Sequence, residues 1–336
     1  MDLSTRYLGM SLPHPLLPGA SPLSDDLDTV RELEDAGAAA IVLRSLFEEQ
    51  ITREQWANYN HWESHDDAFA EAVTFFPNPE AFVLGPDEYL NHVQRVKRTV
   101  RVPVIGSLNG MTPGGWLSYA KLIEEAGANA LELNVYHAQT DCETSGSDVE
   151  RQTLDMVREV KRELKIPVAV KLSPFFTSVA HFALQLDAAG IDGLVLFNRY
   201  YDPDINVEDL EVIRILQLSD SAELPMRLRG VAALSGRVNG SLGVTGGVHT
   251  ALDVVKSTMA GAHVTQMVSA LLKNGPAYLR TVLNELEVWL EKNEWSSLNQ
   301  MRGNMSQERI PNPQTYERAN YMLMLQTWER PYRHQL

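Results

Sequence analysis

The chain has 336 residues, 44% of them hydrophobic and 22% charged, with a formal net charge of -15. This balance gives a globular chain with a sizeable core and excludes nucleic acid or an anionic membrane face as the main partner, because both repel an acidic surface. A single cysteine, Cys142, excludes an internal disulfide framework, and the first residues hold no basic and apolar leader block, so a reducing cytoplasm is the expected location.

Along the chain, Tyr7-Leu8-Gly9 and Leu16-Leu17-Pro18 predict a short hairpin turned at Pro13-His14-Pro15. Leu27, Val30 and Leu33 make one helical face that ends at Gly37, and an apolar strand follows. The same junction recurs at Gly127, Gly190 and Gly261, each time a helix-ending glycine followed by a buried-type strand. Strands are expected at 39–43, 102–108, 130–135, 168–172, 194–198, 226–231, 242–245 and 264–268. Helical periodicity lies between most of them, most clearly over 147–164, where Ser147 and Glu150 form a capping box and Val149, Met156, Val160 and Leu164 share a face.

Eight strands alternating with helices predict an α/β fold, a (β/α)8 TIM barrel. The expected organisation is one barrel domain over 1–311 with an N-terminal hairpin and long loops after strands one and five, at 46–79 and 199–224. Residues 312–336 form a C-terminal extension, expected to be helical and packed on the barrel or on a second subunit.

In such a barrel the strand ends converge on one mouth, so chemistry is sought there. The turn at Gly246-Gly247 and the helix start at Ser269-Ala270 follow the seventh and eighth expected strands and together outline a phosphate site. Lys171, inside the apolar run VAVKLSP, needs an anionic partner or a catalytic role. Asn109, Asn134 and Asn198 at strand ends offer paired donors and acceptors to a planar, amide-like ligand. These features alone fit a sugar-phosphate lyase or aldolase with Lys171 as a Schiff-base lysine as well as they fit a flavin barrel. His61 and His65 have metal-like spacing in HWESH, but without a third ligand nearby they are read as a solvated loop, and no metal site is expected.

The order of the segments PLLPGASPLS, ELN at 132–134, VKLSP at 170–174, LFN at 196–198, TGG at 245–247 and SALLKNGP at 269–276 resembles the class 1 dihydroorotate dehydrogenases, and LNQMRGNM at 298–305 adds to the likeness. That resemblance implies a flavin mononucleotide (FMN) barrel that moves hydride between a dihydropyrimidine-type ring and the flavin, in pyrimidine biosynthesis. It further implies that Ala20 and Ser21 line the flavin, with Arg44, Ser45 and Asn109 also around it. Lys171 would stand at the pyrimidine end of the ring, and Gly246, Gly247, Ser269 and Ala270 would hold the phosphate. Asn134 and Asn198 would bind the substrate ring.

The chain departs from the family pattern in several places. Arg44 stands where the family has lysine, and Val268 where it has a phosphate-loop glycine. The motif ELN-x-S-C-P-N is replaced by ELNVYHAQTDCETSG, which puts His137 at the position of the catalytic base. His137, Cys142 or neither remain open for that role, as does a flavin barrel that has lost the dehydrogenase reaction. A homodimer is implied by resemblance. Because the chain has no cysteine cluster, an iron–sulfur electron path would need a separate partner.

Overall fold

The computed structural model describes residues 1–51, 85–110, 116–136, 142–199, 204–213, 215–308 and 310–327. Two short strands, β1 (Thr5–Tyr7) and β2 (Met10–Leu12), pair antiparallel. The barrel strands follow: β3 (Leu16–Pro18), β4 (Ile41–Phe47), β5 (Val104–Asn109), β6 (Ala130–Asn134), β7 (Val168–Leu172) and β8 (Gly193–Leu196). After a small antiparallel pair, β9 (Asp204–Asn206) and β10 (Glu211–Ile213), the barrel resumes with β11 (Ser241–Thr245) and β12 (Val264–Met267).

The eight-stranded sheet runs β3-β12-β11-β8-β7-β6-β5-β4, each pair parallel. The Ala39 N–H donates to the Leu16 carbonyl at 3.1 Å, which draws the two edges together and makes the sheet a nearly closed barrel. The four recurring glycines, Gly37, Gly127, Gly190 and Gly261, all have positive φ, the left-handed conformation that ends a helix and turns the chain into the next strand.

Two expected strands change place. Leu16–Pro18, read as half of a hairpin, is the first barrel strand and pairs with β12. The hairpin is β1–β2, turned at Leu8 and Gly9, whose φ angles are 50° and 75°. Residues 226–231, read as a strand, lie in the helix Leu224–Leu234, where Pro225 sits in the first turn and Leu224, Arg227, Val231, Ala232 and Leu234 are buried. Proline pre-sets a helical φ in a position where its missing N–H costs nothing, and that local preference outweighs the apolar run behind it. The number of strands is therefore as expected, while each of the first five counted moves up by one. The helix expected over 147–164 is Gly146–Glu163, and its cap is Ser145 accepting from the Asp148 N–H, two residues earlier than the Ser147–Glu150 box. The expected loop 46–79 falls largely outside the described residues.

The strands alternate between two apolar environments. Leu131, Leu133, Val168, Val170, Leu172, Leu194 and Leu196 face outward into the shell between barrel and helices. Leu17, Val42, Ile105, Ala130, Ala169, Val195 and Val264 face inward and form the lower interior with Tyr7, Leu8 and Leu12 of the hairpin, which plugs the base. Moving two residues along four of these strands changes that interior from apolar to polar: Ile105 is followed by Ser107 and Asn109, Ala130 by Glu132 and Asn134, Ala169 by Lys171, and Val264 by Gln266. This polar layer lies toward the C-terminal ends of the strands, the end at which barrels carry their sites. The helix Pro313–Gln326 follows, tied to the barrel by Glu317, which accepts from Gln307 at 2.5 Å and pairs with Arg229 at 2.9 Å.

Candidate active site

Above the polar layer opens a cleft of about 640 Å³ including its mouth. Ala20, Lys171, Asn198, Gly246, Gly247 and Ser269, all expected from the sequence, line it. Gly246 and Gly247 have φ of 83° and 78°. A Cβ on Gly247 would stand 2.5 Å from the Leu224 amide nitrogen, so the turn tolerates no side chain there. Ala270 is fully buried behind the cleft wall.

Lys171 is 5% exposed and its ammonium lies 3.2 Å from Glu132 Oε1. Glu132 is wholly buried, and its other oxygen accepts from Gln266 Nε2 at 2.5 Å. Each ion is thereby compensated, as a buried pair must be. Across the mouth, Asn198 Nδ2 donates to Asn134 Oδ1 at 2.9 Å, so the two expected substrate asparagines form one pair. Asn134 lies in register with Asn109 on one side and Lys171 on the other.

Other expected residues point elsewhere. Arg44 donates to Asp25 at 2.7 Å and does not line the cleft. The Ser45 hydroxyl pairs with that of Ser107 at 2.7 Å inside the barrel. The Ser21 carbonyl takes the Ser24 N–H and O–H, which starts the short helix beside β4. Cys142 is exposed. His137, the candidate base, and the pair His61 and His65 lie outside the described residues.

Several residues around the cleft carry no motif of their own. Arg227 is buried: it donates to the Thr245 carbonyl at 3.2 Å and to the Glu223 carbonyl at 2.7 Å, with Glu223 Oε2 at 3.3 Å. Burial lowers its pKa, while Glu223 opposes that shift. Arg199 at the mouth shares the same carboxylate at 3.1 Å. Two guanidinium groups thus stand beside the Gly246-Gly247 turn. Ser219 bridges the two expected phosphate turns: its N–H donates to Ser269 Oγ at 3.0 Å, and its Oγ accepts from the Gly247 N–H at 3.4 Å. Glu132 and Gln266 were legible in principle, because a charge or an amide every second residue in an otherwise apolar strand marks the interior of a barrel.

Among the described residues, no cluster of three or more potential ligands could hold a metal ion, and no helix is long and apolar enough to cross a membrane. Residues 82–290 match the family model for dihydroorotate dehydrogenase. The catalytic subunit of dihydroorotate dehydrogenase B (NAD(+)) from Thermoplasma acidophilum is 26% identical over 322 residues, covering 90% of this chain and 98% of its own. The NAD-dependent dihydropyrimidine dehydrogenase subunit PreA of Escherichia coli K12 is 25% identical over 332 residues, covering 92% and 78%. A putative dihydroorotate dehydrogenase A (fumarate) from Aeropyrum pernix is 31% identical over 209 residues, covering 60% and 67%. These relatives give no support to a sugar-phosphate lyase or to a barrel without dehydrogenase activity. An oxidoreductase acting on CH–CH bonds is the reading that remains, and the chain belongs to the dihydroorotate dehydrogenase family, whose members are generally flavin-dependent.

Proposed function

We propose that the chain holds FMN in the cleft lined by Ala20, Lys171, Gly246 and Gly247 and oxidises a dihydropyrimidine ring, with dihydroorotate as the default substrate. The observation that carries this reading is the convergence in one cleft of a side-chain-free turn and a buried, ion-paired lysine. The residues fit the group. The helix Ala251–Ala260 is already capped by Thr250 and Asp253, so the amides offered to a phosphate are those of Gly246, Ser269 and Ala270, with that of Gly247 exchanging its long bond to Ser219 Oγ. Arg199 and Arg227 add positive charge on that side. Gln266 Oε1 is a buried acceptor with no partner, which a ligand N–H satisfies.

When bound, FMN supplies a two-electron acceptor for hydride. The chain's own part is to bind and orient. Lys171 holds a fixed positive charge against the ring, and the Asn134–Asn198 pair presents amide donors and acceptors to a planar substrate. His137 is the proposed base for the ring carbon's proton, with Cys142 as the alternative. Buried Ser21, Ser45 and Asn109, with Arg44 held by Asp25, support the wall around the ring. One barrel domain over 1–311 carries the site, and 312–336 is an extension. The enzyme is proposed to be cytoplasmic, a homodimer, and to pass electrons to a separate partner, as the "catalytic subunit" in a relative's name implies.

The test is the absorbance spectrum of the full chain after reconstitution with FMN, followed by anaerobic titration. A yellow protein bleached by dihydroorotate is the expected result, and a chain that takes up no flavin overturns the proposal. Bleaching by dihydrouracil alone moves the substrate to the dihydropyrimidines named for the Escherichia coli relative.

A further inference from the structure

One buried carboxylate, Glu132, commits both of its oxygens to side chains that reach the cleft: Oε1 to Lys171 at 3.2 Å and Oε2 to Gln266 at 2.5 Å. The second bond determines how the Gln266 amide is turned. Only its NH2 group can donate to a carboxylate paired with an ammonium, so the carbonyl Oε1 must face away from Glu132. Oε1 is buried, has no partner and lies on the side of Gly19, where an added Cβ would stand 3.2 Å from it. Gly19 precedes Ala20, which lines the cleft together with Gln266 and Lys171. The cleft therefore has an acceptor, Gln266 Oε1, and a cationic donor, Lys171 Nζ, on two side chains that one carboxylate orients.

We propose that Gln266 is a cofactor-recognition residue that accepts the imide N–H of the flavin's pyrimidine ring while Lys171 faces the neighbouring carbonyl, and that Glu132 is the positioning residue that sets the polarity of both. This rests on the FMN reading above. An N–H flanked by a carbonyl is the complement of an acceptor flanked by a cation. A ring that lacks the N–H leaves Oε1 buried and unpaired, and a site built around a hydrogen bond rejects such an analogue strongly.

The experiment measures affinity of the full apo chain for FMN and for FMN methylated at the imide nitrogen, by quenching of flavin fluorescence. The wild type is expected to bind the methylated flavin about tenfold to a hundredfold more weakly. Gln266→Met, which removes the acceptor without opening space, is expected to close most of that gap; a purely steric rejection of the methyl group would leave it unchanged. Glu132→Gln, which frees the amide to turn over, is expected to narrow the gap as well. Equal affinity of the wild type for the two flavins, or an undiminished gap in Gln266→Met, overturns the assignment while FMN binding itself stands. If Gln266→Met fails to fold, the gap measured in Glu132→Gln decides in its place, and an undiminished gap there overturns the assignment. Failure of the wild type to bind FMN at all is a different result and overturns the function from which the assignment starts.

Discussion

Glu132, Lys171 and Gln266 come from three different strands, and each is fully or almost fully buried. The two charges are tolerable in the interior because they face each other, and Gln266 Oε1 is the one side-chain oxygen among the three residues without a partner. Tyr7 is the contrasting case. Its hydroxyl is buried in the hairpin plug without a partner, and burial, with Glu132 adding to it, pushes its pKa well above the usual phenol value. The hydroxyl thus contributes desolvation cost and no bond. Tyr7→Phe is therefore expected to raise stability by about 1 kcal/mol, seen as a higher urea midpoint. A lower midpoint would mean that the hydroxyl has a partner in solution.

At the scale of elements, the Gly246-Gly247 turn is the part of the site least open to change. Gly247 needs positive φ, and a side chain there would also collide with the backbone at Leu224, the first residue of the helix that carries Arg227. Gly190 has a comparable φ of 88°, yet nothing lies within 4 Å of an added Cβ. The two substitutions separate strain from collision. Gly190→Ala is expected to cost about 1 kcal/mol for conformation alone, and Gly247→Ala about 3 kcal/mol with loss of flavin binding. Thermal unfolding and flavin titration of both variants check this. Equal costs would show that the neighbouring helix yields easily. The same helix illustrates how local chemistry misleads: its apolar residues read as a strand, while Pro225 at its first turn held the decisive information.

Across the whole molecule, the base of the barrel is tied where the N-terminal residues meet the segment 296–302. The Asp2 N–H donates to the Ser296 carbonyl at 3.1 Å, and Arg302 donates to the Thr5 hydroxyl at 2.8 Å. Two histidines are built into this lower region as neutral acceptors: His14 Nδ1 takes the Leu16 N–H at 3.2 Å and His263 Nδ1 takes the Leu242 N–H at 2.9 Å. Burial lowers both pKa values to about 4, with the Arg302 charge adding to the effect at His263 and Arg280 adding a smaller one at His14, where a backbone bond to Gly37 opposes it. Both are neutral when folded and take up a proton near pH 6.5 when unfolded, so the unfolded state binds more protons between those values. Their contribution is complete above about pH 6.5 and is lost as pH falls toward 4, at about 1.4 kcal/mol per pH unit for each histidine. His263→Asn, which keeps a neutral acceptor, is expected to flatten the urea-midpoint profile in that window. A profile parallel to the wild type would remove His263 from the acid response.

The sequence by itself determined the repeated helix–glycine–strand unit and the number of barrel strands, and it singled out Gly246, Gly247, Ser269 and Lys171, which line one cleft, because glycine punctuation and apolar runs are local signals. Only the tertiary structure decided which segments are the barrel strands. Leu16–Pro18 has three residues and earns its place by pairing with β12, some 250 positions away in the chain. The division of each strand into an outer and an inner face was legible only where a polar residue such as Glu132 or Gln266 interrupts the run, since both faces are buried and the lower halves of the strands read as apolar throughout. That division is what brings Glu132, Lys171 and Gln266 onto one interior layer, and closure of the sheet is what lets a single carboxylate reach across to both partners.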